Sequence, residues 1–318
     1  MKILIVGAGI IGSIYGWALS AAGHEVRHLV RKGRADRYQE GMSLDMLDLR
    51  KGQRRRFRGT YPIKAVEAFE EAEGYGLLIA PCHHFALKEV LEDIVPRLPR
   101  TDVIFLTQNW KGSAEIDAAL SRDRYVFGDA KAGGSWRGDT LVGAIKSIDI
   151  GPVDSSGMPL ASRLEACFES AAIGTAIHEE MLQYLWVQFA ATGGLWPSLV
   201  KAGSFKAVLK DATLGREAFA AVQECLGLLE KRGLRLDDYP ELSVYRGSSR
   251  VGRFLAMAMI RWMFTFSEWA KRTSSHALGD PREIRAFYYD LLESAKELGF
   301  AMPVFSGYKP YIDRFTSS

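Results

Sequence analysis

Apolar and polar positions divide the chain into two regimes. In the first half, short apolar runs alternate with helix-period patterns. Lys2–Val6 reads as a buried strand and Ile10–Ala22 as a helix, with further strands at Glu25–Val30 and Gly76–Ala80. Phe85–Val95 reads as a helix stopped near Pro96, and Asp102–Thr107 as another strand. Strand and helix in turn imply parallel strands joined by crossover helices. The predicted class is therefore α/β, a Rossmann-type doubly wound parallel sheet. Gly41–Ile63 interrupts this pattern and reads as polar, basic and poorly periodic.

Beyond about residue 150 the character changes. The turn-rich segment Gly151–Gly157 leads into long helical patterns at Pro159–Ala172, Glu179–Ala191, Leu214–Arg232, Val251–Lys271 and Pro281–Leu298. Almost no strand signal remains, so the second domain is expected to be mostly α-helical. The expected division is residues 1–178 for the dinucleotide-binding domain and 179–318 for the helical one.

Composition narrows the class further. Among 318 residues, 47% are hydrophobic and 25% charged, as in an ordinary globular protein. A net charge of +3 is too weak to argue for a nucleic-acid partner. No membrane partner is expected, because Met181–Val200 is interrupted by Gln183, Gln188, Thr192 and Pro197 and Phe254–Phe266 is short and carries Arg261. The apolar run behind Lys2 breaks at Gly7, too early for a secretory signal. Cys82, Cys167 and Cys225 show neither zinc spacing nor a disulfide framework, which fits a reducing cytoplasm.

Chemistry enters at Gly7-Ala-Gly9-Ile10-Ile11-Gly12, which follows a strand and opens a helix. In that context Gly7 permits the tight turn, Gly9 lets a pyrophosphate approach the backbone, and Gly12 lets helix and strand pack closely. The helix start, at Ile10 and Ile11, offers free N–H groups and a positive dipole end. Gly16, one turn later, would allow further close packing. Which dinucleotide binds is argued from the end of the second strand, where NAD sites carry an acid. Here Val30-Arg31-Lys32-Gly33-Arg34 carries none. Arg31 can grip a 2′-phosphate bidentately, so NADP(H) is the expected cofactor; a solvated basic turn is the alternative. The cluster Arg50, Lys51, Arg54, Arg55, Arg56 and Arg58 has no interleaved aromatics and reads as a solvated hairpin.

With the opening Lys2–Gly12 segment and the Arg31 turn go Thr107-Gln108-Asn109, Gly128, Ala132-Gly133-Gly134, Leu185-Trp186, Arg282-Glu283-Ile284 and Glu297–Pro303. In these, taken in order, the chain resembles the ketopantoate reductase family, whose members reduce a 2-oxo acid with NADPH. The resemblance implies a Rossmann domain followed by a helical one, Asn109 beside the nicotinamide, Gly134 at the cofactor, and a homodimer formed through the helical domain. It also exposes departures. The family's general-acid Lys corresponds to Gln188, two family Asn residues to Thr192 and Trp196, a cofactor-contacting Lys to His83, and a Gly to Trp110.

Hydride delivery to a carbonyl leaves negative charge on oxygen, which a positioned acid must protonate or stabilise. Gln188 donates a hydrogen bond but supplies no proton near neutral pH. His276, in the turn Thr273–Gly279, titrates in the right range; an exposed loop histidine is the competing reading. Glu283 follows Asp280-Pro281-Arg282 as in a capping box, while the resemblance gives it a cleft-facing role. Trp110 would wall the pocket or stack on a ring. The expectation is an NADPH-dependent reductase of a small oxo acid, ketone or imine, with hydride transfer in an interdomain cleft. Its rival is a non-catalytic NADP(H)-binding sensor.

Overall fold

In a computed structural model, the structure describes residues 1–70, 74–246, 262, 265–274 and 278–316. Two compact units emerge: Met1–Tyr184 with Arg272–Ser274, and Leu185–Lys271 with Ser275–Ser318.

The first unit is built on one sheet of ten strands among the described residues. They are β1 Lys2–Val6, β2 Glu25–Leu29, β3 Met42–Asp48, β4 Arg55–Tyr61, β5 Ala65–Val66, β6 Leu77–Ala80, β7 Asp102–Phe105, β8 Tyr125–Arg137, β9 Thr140–Gly151 and β10 Gly174–Ile177. Their order is β4-β3-β9-β8-β7-β6-β1-β2-β5, with β10 on β9. Pairing is parallel except for β3–β4 and β8–β9. The α/β class is therefore as expected, with antiparallel hairpins added to a parallel core.

The continuous apolar run of β1 follows from its place. Ile3, Leu4 and Ile5 have no exposed surface, as in a strand covered on both faces. Helix α1, Ile10–Ala21, packs Ile14, Tyr15, Trp17, Ala18 and Leu19 into the same core as Ile3, Ile5, Leu77 and Ile79. Helix α2, Met158–Ser170, adds Leu160, Leu164 and Phe168. The chain leaves β1 for β2 on one side and later returns to β6 on the other. That reversal is the switch point outside which open α/β sheets bind ligands, at the carboxyl ends of the strands.

Three expectations need correction. Gly41–Ile63 is a hairpin of the sheet, with Met42, Leu44 and Met46 buried at period two along β3. Arg50 is not solvated: it is 6% exposed, grips the buried Asp48 through Nε and Nη2 at 2.9 Å each, and donates from Nη1 to the Ala171 carbonyl. A buried bidentate pair of this kind survives only because both partners are satisfied. Strands also persist beyond expectation, since β8 and β9 run 13 and 12 residues and β10 follows position 150.

The two compact units divide at Tyr184/Leu185, inside helix α3, Met181–Ala202. The first turn of α3 is tied to the sheet, where the Tyr184 hydroxyl donates to Asp149 Oδ2 at 2.6 Å. Arg272 is likewise tied to the first unit, donating to the Asp45 and Gly143 carbonyls and to Asp45 Oδ1.

The second unit is helical among its described residues. Its core joins α3 to α4, Ala212–Lys231, and α5, Pro281–Glu297. Phe189 stacks on Phe287 at 3.8 Å between centroids, with Trp196 alongside at 4.7 Å. Of the helix expected at Val251–Lys271, residues 251–261, 263 and 264 lie outside the described ones; a short helix spans Glu268–Thr273.

Candidate dinucleotide site

The β1–α1 turn has the geometry its glycines demand. Gly7 has φ +80°, a left-handed conformation that suits a residue without Cβ. Its amide donates to the Leu29 carbonyl at 2.7 Å, locking the turn to β2. Gly9 is the N-cap of α1, and no side chain caps the helix there. A Cβ on Gly9 would meet nothing within 4 Å, so the backbone borders open space. The first-turn amides at Ile10, Ile11 and Gly12 have no intrahelical acceptor, as in any helix. A Cβ on Gly12 would stand 3.0 Å from Ile5 Cγ2 and 3.2 Å from Pro81 Cγ, so helix and sheet meet closely there.

A brace supports this turn from inside the sheet. His28, fully buried on β2, places Nδ1 2.9 Å from the Gly7 carbonyl and Nε2 3.1 Å from the Tyr61 hydroxyl. The carbonyl can only accept, so Nδ1 carries the proton and Nε2 accepts from Tyr61. Burial pulls the His28 pKa down to about 4, against the raising effect of the Gly7 carbonyl. Gly16 gives this imidazole room, because a Cβ there would lie 2.5 Å from Nε2. Sequence reasoning foresaw close packing at Gly16 but not His28, whose partners lie 21 and 33 residues away.

At the neighbouring strand ends stand the other expected residues. Arg31 is exposed just beyond β2, and His83 is exposed just beyond β6, stacked on Phe85 at 5.1 Å. Asn109, beyond β7, is 3% exposed; its Nδ2 donates to the Gly112 carbonyl and its Oδ1 accepts from the Lys111 amide. Its side chain thus holds its own loop in shape. Nearby, Thr107 Oγ1 and Gln108 Oε1 are buried with no protein partner. Gly134 has a reason within the sheet: a Cβ there would lie 2.5 Å from the Val142 carbonyl oxygen. Trp110 is 2% exposed.

One residue at this edge went unseen in the sequence. β5 pairs parallel with β2, His28 opposite Ala65 and Leu29 opposite Val66, so Glu67 follows at the end of β2. Glu67 Oε1 accepts from the Arg34 and Ala35 amides at 2.8 and 2.9 Å. The backbone amides of Ala35, Gly33 and Arg34 hold the exposed Glu67 carboxyl below its ordinary pKa.

A second group missed by sequence reasoning lies where β8 runs on past the end of β7. Asp129 and Asp149 face each other across β8 and β9, and Lys131 reaches Asp129, Asp149 and the Tyr184 hydroxyl. His178 stacks on Tyr184 with centroids 4.0 Å apart. Burial opposes ionisation of Asp149, but the His178 ring 3.8 Å away, the Tyr184 hydrogen bond and the Lys131 charge hold its pKa down to about 2.

In the second unit, Gln188 and Thr192 are half-buried one turn apart on α3. Glu283 is half-buried in the first turn of α5, whose N-cap Asp280 accepts from the Arg282 amide at 2.9 Å with Pro281 at the first position. His276 lies outside the described residues. Among the described residues no group of His, Cys, Asp and Glu could hold a metal ion, and no helix is long and apolar enough to cross a membrane.

Sheet order and glycine turn together define a Rossmann-type α/β fold. Residues 3–154 match the family model described as ketopantoate reductase PanE/ApbA. Solved structures agree in fold along nearly the whole chain. The 2-dehydropantoate 2-reductase from Geobacter metallireducens GS-15 is 16% identical with TM-score 0.76, covering 99% of this chain and 100% of its own. D-Mandelate dehydrogenase, in its ternary structure with NADH and anilino(oxo)acetate, is 16% identical with TM-score 0.75, covering 98% and 97%. The dimeric ketopantoate reductase from Staphylococcus aureus is 12% identical with TM-score 0.62, covering 98% of each chain. No curated protein matches the chain by sequence.

Proposed function

We propose that this protein is a nicotinamide-dependent reductase that uses NADP(H) to reduce a small oxo acid, ketone or imine. The observation that carries the reading is the β1–α1 turn: Gly7 in a left-handed conformation, and Gly9 opening an uncapped helix onto free space at the switch point. The first-turn amides would hold the diphosphate, and the helix dipole would add to their attraction. Arg31 would grip the 2′-phosphate, with His83 and Asn109 lining the neighbouring strand ends and Gly134 beside the cofactor. The bound cofactor supplies the hydride. The chain must then protonate the carbonyl oxygen or stabilise the negative charge on it, for which His276 and Glu283 are the candidates as acid, with Gln188 and Thr192 as hydrogen-bond donors.

The named relatives favour this chemistry, being reductases or dehydrogenases of 2-oxo or 2-hydroxy acids by their own descriptions. A cytoplasmic homodimer is part of the reading, in line with the dimeric relative. The second reading, a sensor that binds NADP(H) without turning over, is favoured by Gln188, Thr192 and Trp196 standing where the family carries Lys and two Asn. The deciding test is loss of NADPH absorbance across a panel of 2-oxo acids, ketones and cyclic imines. Turnover of any class supports the reductase; tight NADPH binding with no turnover across the panel supports the sensor.

A further inference from the structure

Two strands, not one, deliver side chains to the place where the adenosine ribose of a dinucleotide lies in such sheets. β2 delivers the basic turn Arg31-Lys32-Gly33-Arg34, and β5, paired in register beside it, delivers Glu67. Gly33, at φ +75°, begins a turn whose Arg34 and Ala35 amides converge on one acceptor, a concavity of N–H groups of the kind that holds anions. An anion already sits there. It is the Glu67 carboxylate, accepting from Arg34 and Ala35.

A carboxylate oxygen and a phosphate oxygen make the same demand on these amides, for both are charged acceptors. They cannot occupy one set of donors together. We infer that Glu67 determines cofactor specificity: its carboxylate holds the amides that a 2′-phosphate would use, so NADPH must displace it whereas NADH need not. Displacement is feasible because Glu67 is an exposed side chain. Until displaced, the carboxylate keeps the turn in its binding shape and opposes the second phosphate with its charge. This inference rests on the nicotinamide-dependent reading above.

Calorimetric titration of the intact chain with NADPH and with NADH, repeated for Glu67→Gln and Glu67→Ala, tests it. Gln keeps an acceptor for the two amides and removes only the charge. The expected result is about tenfold tighter NADPH binding for Glu67→Gln, on the scale of one screened charge pair, with NADH changed less than about twofold. Glu67→Ala should shift the preference in the same direction. Equal changes for both cofactors, or weaker NADPH binding to Glu67→Gln, would show that Glu67 serves only to hold the loop. If both cofactors bind and neither variant moves their ratio, this inference alone fails. If neither cofactor binds any of the three proteins, the nicotinamide reading fails and takes this inference with it.

Discussion

The turns that follow β1 and β2 are neighbours on one sheet edge, yet they present their amides in opposite ways. The first is made of glycine and left open, with no side chain near Gly9 and none capping α1. The second is ringed by Arg31, Lys32 and Arg34, and its amides are engaged by the chain's own Glu67. An open turn takes a diphosphate without exchange. A filled turn takes an anion only by giving one up. The lesson is that backbone donors mark an anion site, while the side chain beside them sets which anion is preferred.

The most severe way to break this contrast is to give the first turn what the second has. Gly9→Asp should weaken NADPH and NADH alike by about a thousandfold, the scale of a carboxylate some 4 Å from phosphate near a protein surface. Thermal stability should hardly change, because a Cβ at Gly9 meets nothing, and a melting curve beside the titration checks both halves. The next effect concerns the brace beneath the first turn. His28 has a folded pKa of about 4 against an ordinary 6.5. The unfolded chain therefore takes up the proton first as pH falls, and stability is lost between pH 6.5 and about 4. The loss attributable to His28 should be roughly 3 kcal/mol, with no further loss from it at lower pH. Denaturant unfolding at several pH values, compared between the parent and His28→Gln, reads this as a slope that the variant lacks. The smallest effect belongs to the second turn: Arg31→Ala should cost NADPH about tenfold, as for one charge-assisted grip, and leave NADH nearly unchanged in parallel titrations.

The first turn was legible in the sequence because everything it needs is local. Strand, glycines and helix fall within Lys2–Ala21, and their chemistry follows from their order. Glu67 was not legible, because β5 is two residues long and only its pairing with β2 brings Glu67 to Arg34. The absence of an acid in the Arg31 turn was read correctly from the chain, but the fold supplies one from elsewhere. The β8–β9 hairpin was missed for another reason. Gly128, Gly133, Gly134 and Gly143 weaken its strand signal, and crowding requires two of them: Cβ atoms at Gly128 and Gly134 would lie 2.6 Å from Leu106 Cδ2 and 2.5 Å from the Val142 carbonyl oxygen. The period-two pattern of Met42, Leu44 and Met46 was obscured by the arginines that follow it. Those arginines are largely engaged with the acids of β3, Arg56 and Arg58 with Asp45 and Arg50 with Asp48.

Backbone amide NMR shifts during titration with NADH and then NADPH test the central claim most directly. With NADH, Gly9, Ile10, Ile11 and Gly12 should move together and Gly33, Arg34 and Ala35 should stay near their starting positions. With NADPH both groups should move, the second as Glu67 leaves its amides. Saturable binding of either cofactor with the Gly9–Gly12 amides unmoved would contradict the account.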